Sequence, residues 1–236
     1  MILEALKHWV PRPLKQAARS AWQRERLRRA MRRLLALPTG VAPERPLFAE
    51  LRVAWGNERF TADLDFLTEV TRLAAATQGP VLECGSGLTT LLLGALAGRR
   101  GVEVWALEHE PEWRRRIAAA LRDHVAGQVY LWFSPLLWFS PLSDYGEFVW
   151  YAAPLPLMPD EFRLVVCDGP PAGTRGGRFG LLSVIGDRLP AGAVILLDDA
   201  DRDTEQHTLR RWMRDVPLAV ALRQLPSGTL AELTRC

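Results

Sequence analysis

The sequence predicts a doubly wound α/β fold. Its core is a mostly parallel seven-stranded sheet with helices on both faces, an antiparallel hairpin at the C-terminal edge and a helical extension in front. Three observations predict it. From residue 58 onward, short apolar runs alternate with segments of helical periodicity, the pattern of a sheet buried on both faces. The first such run ends in a glycine-rich turn, Gly85-Ser86-Gly87. The last two runs are joined by Pro226-Ser227-Gly228, a turn signal.

The chain has 236 residues, of which 48% are hydrophobic. That suits one sizeable domain with a short extension. Residues 1–35 hold ten Lys/Arg against two acids, +8, while the remainder holds 20 against 25, −5. The basic character belongs to the extension, so nucleic-acid binding is not expected of the whole protein. Leu14, Ala17, Ala18, Ala21, Leu27, Met31, Leu34 and Leu35 recur at spacings near three and four among arginines. Residues 1–40 therefore form a basic amphipathic helical extension that ends at Pro38-Thr39-Gly40. Its stripe packs on the domain or on a second subunit of a homodimer. Alternatively it lies on an anionic membrane surface, and RNA contact is a third reading. Residues 41–57 contain Pro43 and Pro46 and read as a linker. The main domain is 58–236. No apolar run approaches the roughly 20 residues that span a bilayer, and MILEALKHWVPRP lacks a signal-peptide core. A cytoplasmic location is expected, peripheral at the membrane if the extension docks there. Cys84, Cys167 and Cys236 form no metal-like cluster and are expected to be reduced.

Residues 60–77 read as a helix. VLECG (81–85) is a strand and TTLLLGALAGR (89–99) a helix. VEVWALEHE (102–110) is a strand, and residues 111–126 a helix with Pro111 in its first turn. QVYLWF (128–133) is the third strand and FRLVVCDG (162–169) the fourth, with GLLSVIGDRL (180–189) a short helix. AGAVILLDD (191–199) is the fifth strand and 203–215 a helix. LAVALRQL (218–225) and TLAELTR (229–235) form the hairpin. Residues 131–142 repeat LWFSPL in tandem. Because each proline blocks ladder pairing, one copy should end the third strand. The other should bulge as a loop that exposes Trp and Phe.

In such a sheet, ligands bind at the carboxyl ends of the strands, where strand order reverses. A dinucleotide turn reads G-x-G-x-x-G; here the third position is Thr90. Glu83, just before the turn, would repel a pyrophosphate but suits a cationic or hydroxyl-bearing ligand. A nucleoside with an amino-acid tail and no phosphate fits better.

VLECGSGLTT resembles the first motif of class I S-adenosylmethionine-dependent methyltransferases, and the resemblance runs in order over residues 55–236. It implies a Rossmann-like fold and S-adenosylmethionine as cofactor, bound by Glu83, Gly85, Ser86, Gly87, Thr89, Thr90, Glu108 and Asp168. Glu108 would hold the ribose hydroxyls, lying 21 residues after Gly87 where about 20 is expected; Glu110 is the substitute. Thr89 departs from the family's further glycine. Asp168, Asp198 and Asp199 end the fourth and fifth strands, an arrangement similar to the metal-dependent O-methyltransferases that act on catechols and sugars. This implies magnesium on those three acids. The base of those enzymes has no counterpart in Gly169-Pro170-Pro171, so Asp168 and His207 are the catalytic candidates, with His109 and Asp201 behind them. Arg175 and Arg178 could clamp an anionic group, or replace the metal. Tyr145 and Trp150, with Phe148 and Tyr151, are candidates for walls of an acceptor or adenine pocket.

The reading is a methyltransferase, on oxygen, with a small-molecule or saccharide-like acceptor. The alternatives are a non-catalytic nucleoside-binding scaffold docked through its basic helix, and an NAD-dependent oxidoreductase, which the broken glycine pattern disfavours.

Overall fold

The computed structural model describes residues 11–56, 61–140, 146–226 and 228–236. Helices α1 (Arg12–Ala36), α2 (Arg45–Trp55) and α3 (Leu64–Ala76) precede the sheet. The alternating part runs β1 (Val81–Cys84), α4 (Leu88–Leu96), β2 (Val104–Glu108), α5 (Pro111–His124) and β3 (Val129–Phe133). A two-stranded ribbon follows, β4 (Leu136–Phe139) and β5 (Phe148–Tyr151). Then come β6 (Leu164–Cys167), α6 (Gly180–Ile185), β7 (Val194–Leu197), α7 (Asp203–Asp215), β8 (Leu218–Leu225) and β9 (Gly228–Arg235).

The main sheet has the order β3-β2-β1-β6-β7-β9-β8. Strands β3, β2, β1, β6 and β7 are mutually parallel, and β9 runs antiparallel to both β7 and β8. Seven mostly parallel strands with an antiparallel edge hairpin are what the alternation of runs predicts. Strand order reverses between β1 and β6, so the turns after these strands flank one crevice.

Every residue of β1, β2 and β6 is buried. Side chains alternate between two cores, as the period of two requires. Val81, Val104, Val166 and Leu196 face one core, shared with α1 to α4. Leu82, Trp105, Val165 and Ile195 face the other, under β5, α6 and α7. Asp63 caps α3, accepting from the N–H groups of Asp65 and Phe66 at 2.7 and 2.8 Å, a preferred arrangement at a helix start. All three cysteines are free, with Cys84 and Cys167 buried side by side on β1 and β6.

Two expectations are corrected. Residues 41–57 are not a linker, because 45–55 form α2 and bury Leu47, Phe48, Leu51, Ala54 and Trp55. Pro46 sits in the first turn, where its missing N–H costs nothing; the apolar spacing behind it is helical. The second LWFSPL copy is not a loop. Pro135 ends β3, but the next Leu-Trp-Phe builds β4 and pairs antiparallel with β5, Leu137 opposite Trp150 and Trp138 opposite Val149. The run 148–151 is therefore a strand, made of the β-favouring residues Phe, Val, Trp and Tyr. Trp138 is exposed, as expected of the second copy.

Helix α1 ends just before Pro38, as its sequence predicts. Its apolar residues do not form one stripe. Leu27, Ala30, Met31 and Leu34 enter the core beside α2, whereas Leu14 and Trp22 are exposed. Among the described residues, no helix is long and apolar enough to cross a membrane.

Candidate functional site

The turn after β1 is shaped by close backbone approach. Gly85 has φ +86°, and a Cβ there would lie 3.2 Å from the backbone nitrogen of Gly169. Only glycine combines that angle with that proximity at little cost. A Cβ on Gly169 would in turn lie 2.2 Å from the Tyr151 hydroxyl. The turns after β1 and β6 thus touch, and the glycine turn lies beside Asp168.

Beneath the turn, Glu83 is fully buried. Its Oε2 accepts from the Thr90 hydroxyl at 2.6 Å, and Thr90 Oγ1 accepts from the Gly87 N–H at 2.9 Å. Burial pushes the Glu83 carboxyl up to about 8, against hydrogen bonds from Thr89 and Thr90 that lower it. A carboxyl so buried is neutral at pH 7. Glu83 thus stands as a buried peg under the turn. Both threonine hydroxyls turn down toward it rather than out.

Glu108 ends β2 and carries the other half of the site. Its Oε2 accepts from the Ser86 N–H at 3.1 Å and the Ser86 hydroxyl at 2.6 Å, and its Oε1 from the Glu110 N–H at 2.8 Å. His109 Nδ1 lies 3.3 Å from Oε1. Burial raises this carboxyl, but the bonds from His109, Ser86 and Glu110 outweigh it and hold it below the usual carboxylate range. Glu83 and Glu108 thus differ in charge because one has few donors and the other many. Glu110 points away and caps α5.

Trp113 of α5 donates its indole N–H to the Ser86 carbonyl at 2.7 Å. Trp55 and Trp113 meet edge to face with ring centroids 6.0 Å apart; the Arg116 guanidinium contacts both, 4.8 and 4.9 Å from those centroids, and donates to the Trp55 carbonyl at 2.7 Å. Ser134, just past β3, is fully buried; its N–H donates to the Glu108 carbonyl at 2.8 Å, and its hydroxyl has no partner among the described residues. The Tyr151 hydroxyl and Trp132 indole N–H are likewise buried with no partner among the described residues. Sequence reasoning did not single out Trp113 or Ser134, because neither belongs to a local motif.

At the ends of β6 and β7, Asp168, Asp198 and Asp199 offer carboxylate oxygens within 4.8 Å of one another. Asp199 has φ +56°, a left-handed conformation that Asp tolerates better than most residues. Arg178 is the cation of this cluster. It is buried and donates to the carbonyls of Asp198 and Asp168, to Asp168 Oδ1 at 3.4 Å and to Asp199 Oδ2 at 3.1 Å. Buried Glu205 of α7 lies 3.8 Å away, and Arg202 adds an ion pair to Asp199 at 2.7 Å. Burial and acidic neighbours push Asp168 up to about 6 and Asp198 up to about 8, against the pull of Arg178.

Several predicted site residues lie elsewhere. Arg178 faces inward, so it is not a clamp on a substrate's anion. Trp150 is fully buried, its ring against Gly180, so it walls no pocket. Arg175 is exposed, 5.7 Å over the Trp138 ring, and donates to the Glu147 carbonyl. His207 is exposed on α7, in a cleft of about 260 Å³ lined also by Glu147, Phe148, Phe179 and Arg211 and by none of the three aspartates. Asp201 accepts from the Thr229 N–H at the β8–β9 turn. Tyr145 lies outside the described residues.

Comparison with solved structures identifies the fold. A Podospora anserina methyltransferase with bound S-adenosylhomocysteine superposes with TM-score 0.56 at 17% identity, covering 96% of this chain and 89% of that one. A cofactor-bound protein from MTB superposes with TM-score 0.52 at 22% identity, over 75% and 82% of the two chains. A precorrin-6y C5,15-methyltransferase from Geobacter metallireducens gives TM-score 0.50 at 17% identity, over 76% and 95%. No family model matches the sequence, and no curated protein matches it significantly. The likeness is one of architecture, the Rossmann-like fold found in class I methyltransferases.

Proposed function

We propose that the chain is an S-adenosylmethionine-dependent methyltransferase that acts on an oxygen of a small-molecule or saccharide-like acceptor. One observation carries the reading. A carboxylate held ionised at the end of β2 is bonded to the turn after β1, beside the point where strand order reverses. A ribose hydroxyl reaching Glu108 Oε2 would compete with the Ser86 hydroxyl, one neutral donor replacing another. The partnerless hydroxyls of Ser134 and Tyr151 are further polar groups that a nucleoside could satisfy. Glu83, being neutral, does not oppose the amino-acid tail's carboxylate. These donors and acceptors fit the cofactor.

Bound S-adenosylmethionine would supply an electrophilic methyl group. The chain's own part is to position the acceptor and take its proton. Asp168 stands beside the glycine turn, with Asp198 next to it, and a carboxylate there can accept the hydrogen of an acceptor hydroxyl. Arg178 fixes the ends of β6 and β7 and limits their mutual repulsion. A divalent ion on Asp168, Asp198 and Asp199 is the second reading, favoured by their 4.8 Å grouping. Arg178 and Arg202 already meet part of that charge.

Calorimetry with S-adenosylhomocysteine tests the first reading. Glu108→Ala should weaken binding by about 1.5–3 kcal/mol, the range for hydrogen bonds to a charged group, with the fold intact. Unchanged affinity would remove Glu108 from the ribose role. Methyl transfer that continues in excess chelator would remove the metal.

A further inference from the structure

The first half of α1 carries an apolar stripe that no described residue covers. Leu14, Ala18 and Trp22 follow one another at intervals of four, so they share one face. Leu14 is 59% and Trp22 52% exposed. At 3.6 residues per turn this face lies on roughly the opposite side of the helix from Leu27, Ala30, Met31 and Leu34, which enter the core. Gln23 lies against Gly56, at the end of α2. Described residues from 11 to 22 are all exposed, and this part of the helix projects past α2 by about 16 Å at 1.5 Å per residue.

Charge flanks the stripe. Helix α1 holds nine Lys/Arg against one acid, Glu25. Lys15 and Arg19 are exposed, with no ion pair among the described residues. The Arg26 guanidinium stands 4.6 Å over the Trp22 ring. Excess positive charge beside an exposed Trp and Leu matches the two layers of a membrane surface: anionic headgroups, and an interfacial zone that favours Trp. A nucleic-acid backbone would engage the arginines but offers nothing to Leu14 and Ala18. Docking does not conflict with packing, because the two faces occupy different turns of the helix.

We propose that the outer face of the first half of α1 docks on a membrane surface carrying anionic lipid, with Trp22 and Leu14 in the interface and Lys15 and Arg19 on the headgroups. The test is co-sedimentation of the full chain with phosphatidylcholine vesicles, with and without phosphatidylserine, at low and high salt. Binding should need phosphatidylserine and weaken with salt. At about fivefold per basic residue near such a surface, Lys15→Ala with Arg19→Ala should weaken it about thirtyfold. Trp22→Ala should weaken it further, and Trp22→Phe much less. None of these exposed substitutions should change the melting temperature. Equal binding to neutral vesicles, no vesicle binding, or binding indifferent to these substitutions would overturn the proposal. So would tight binding to an RNA oligonucleotide without vesicle binding.

Discussion

Replacing Glu83 by Gln should stabilise the protein at alkaline pH and remove part of its pH dependence. The side chain is fully buried, with Oε2 accepting from the Thr90 hydroxyl. Its folded-state value of about 8 stands against an ordinary 4.5. Between those limits the unfolded chain has released a proton that the folded chain retains, so stability falls as pH rises and levels off above about 8. At about 1.4 kcal/mol per pH unit the ceiling is about 5 kcal/mol. Relaxation around a forming charge reduces it, and about 2–4 kcal/mol is the working expectation. Glutamine has the same shape, keeps an acceptor for Thr90 and cannot ionise. Urea unfolding of both proteins from pH 5 to pH 9 isolates the difference, because Asp168 and Asp198 titrate in both. The variants should match near pH 5 and diverge upward, with Gln the more stable. A gap that stays constant with pH, or a Gln variant less stable at pH 8.5, would mean that Glu83 is ionised in the fold and that the peg description is wrong.

Three further outcomes follow from the same region. Arg178→Met leaves the Asp168–Asp199–Glu205 group without its central cation and should cost about 3–5 kcal/mol, measured by chemical unfolding at neutral pH. Gly169→Ala drives a methyl group into the Tyr151 hydroxyl and should cost about 1–3 kcal/mol; adding Tyr151→Phe should recover part of the loss in melting temperature. Trp113→Phe keeps the ring against Arg116 but removes the N–H that holds the Ser86 carbonyl. It should lower affinity for S-adenosylhomocysteine in calorimetry more than it lowers stability, by about 1 kcal/mol.

The sheet was legible because its signals are local. VLECG and VEVWALE are continuous apolar runs, and a turn of Gly-Ser-Gly between strand and helix has few other uses. Glu108 was singled out by the resemblance, with its distance from Gly87 in agreement. What the sequence hid depends on partners distant in the chain. Phe148–Tyr151 has the composition of a strand, but whether it pairs depends on Leu136–Phe139, and proline punctuation around the repeat pointed to a loop. Pro46 likewise masked α2, although it occupies the position where a helix accepts proline. Glu83 and Arg178 have the residue types of ligand-binding groups; only burial shows that they face inward. Nothing local indicates that Trp113 reaches Ser86, or Glu205 Arg178.

The cluster of Trp55, Trp113 and Arg116 bears on where the chain can be cut. Excision at the apparent boundary before residue 58 would remove one ring from Arg116 and strip α2 from the core. It would also slacken the indole that holds the Ser86 turn. The helical pair thus acts as a buttress to the ligand crevice. Ligand that steadies the turn should slow amide exchange in α2, about 60 residues upstream of Trp113.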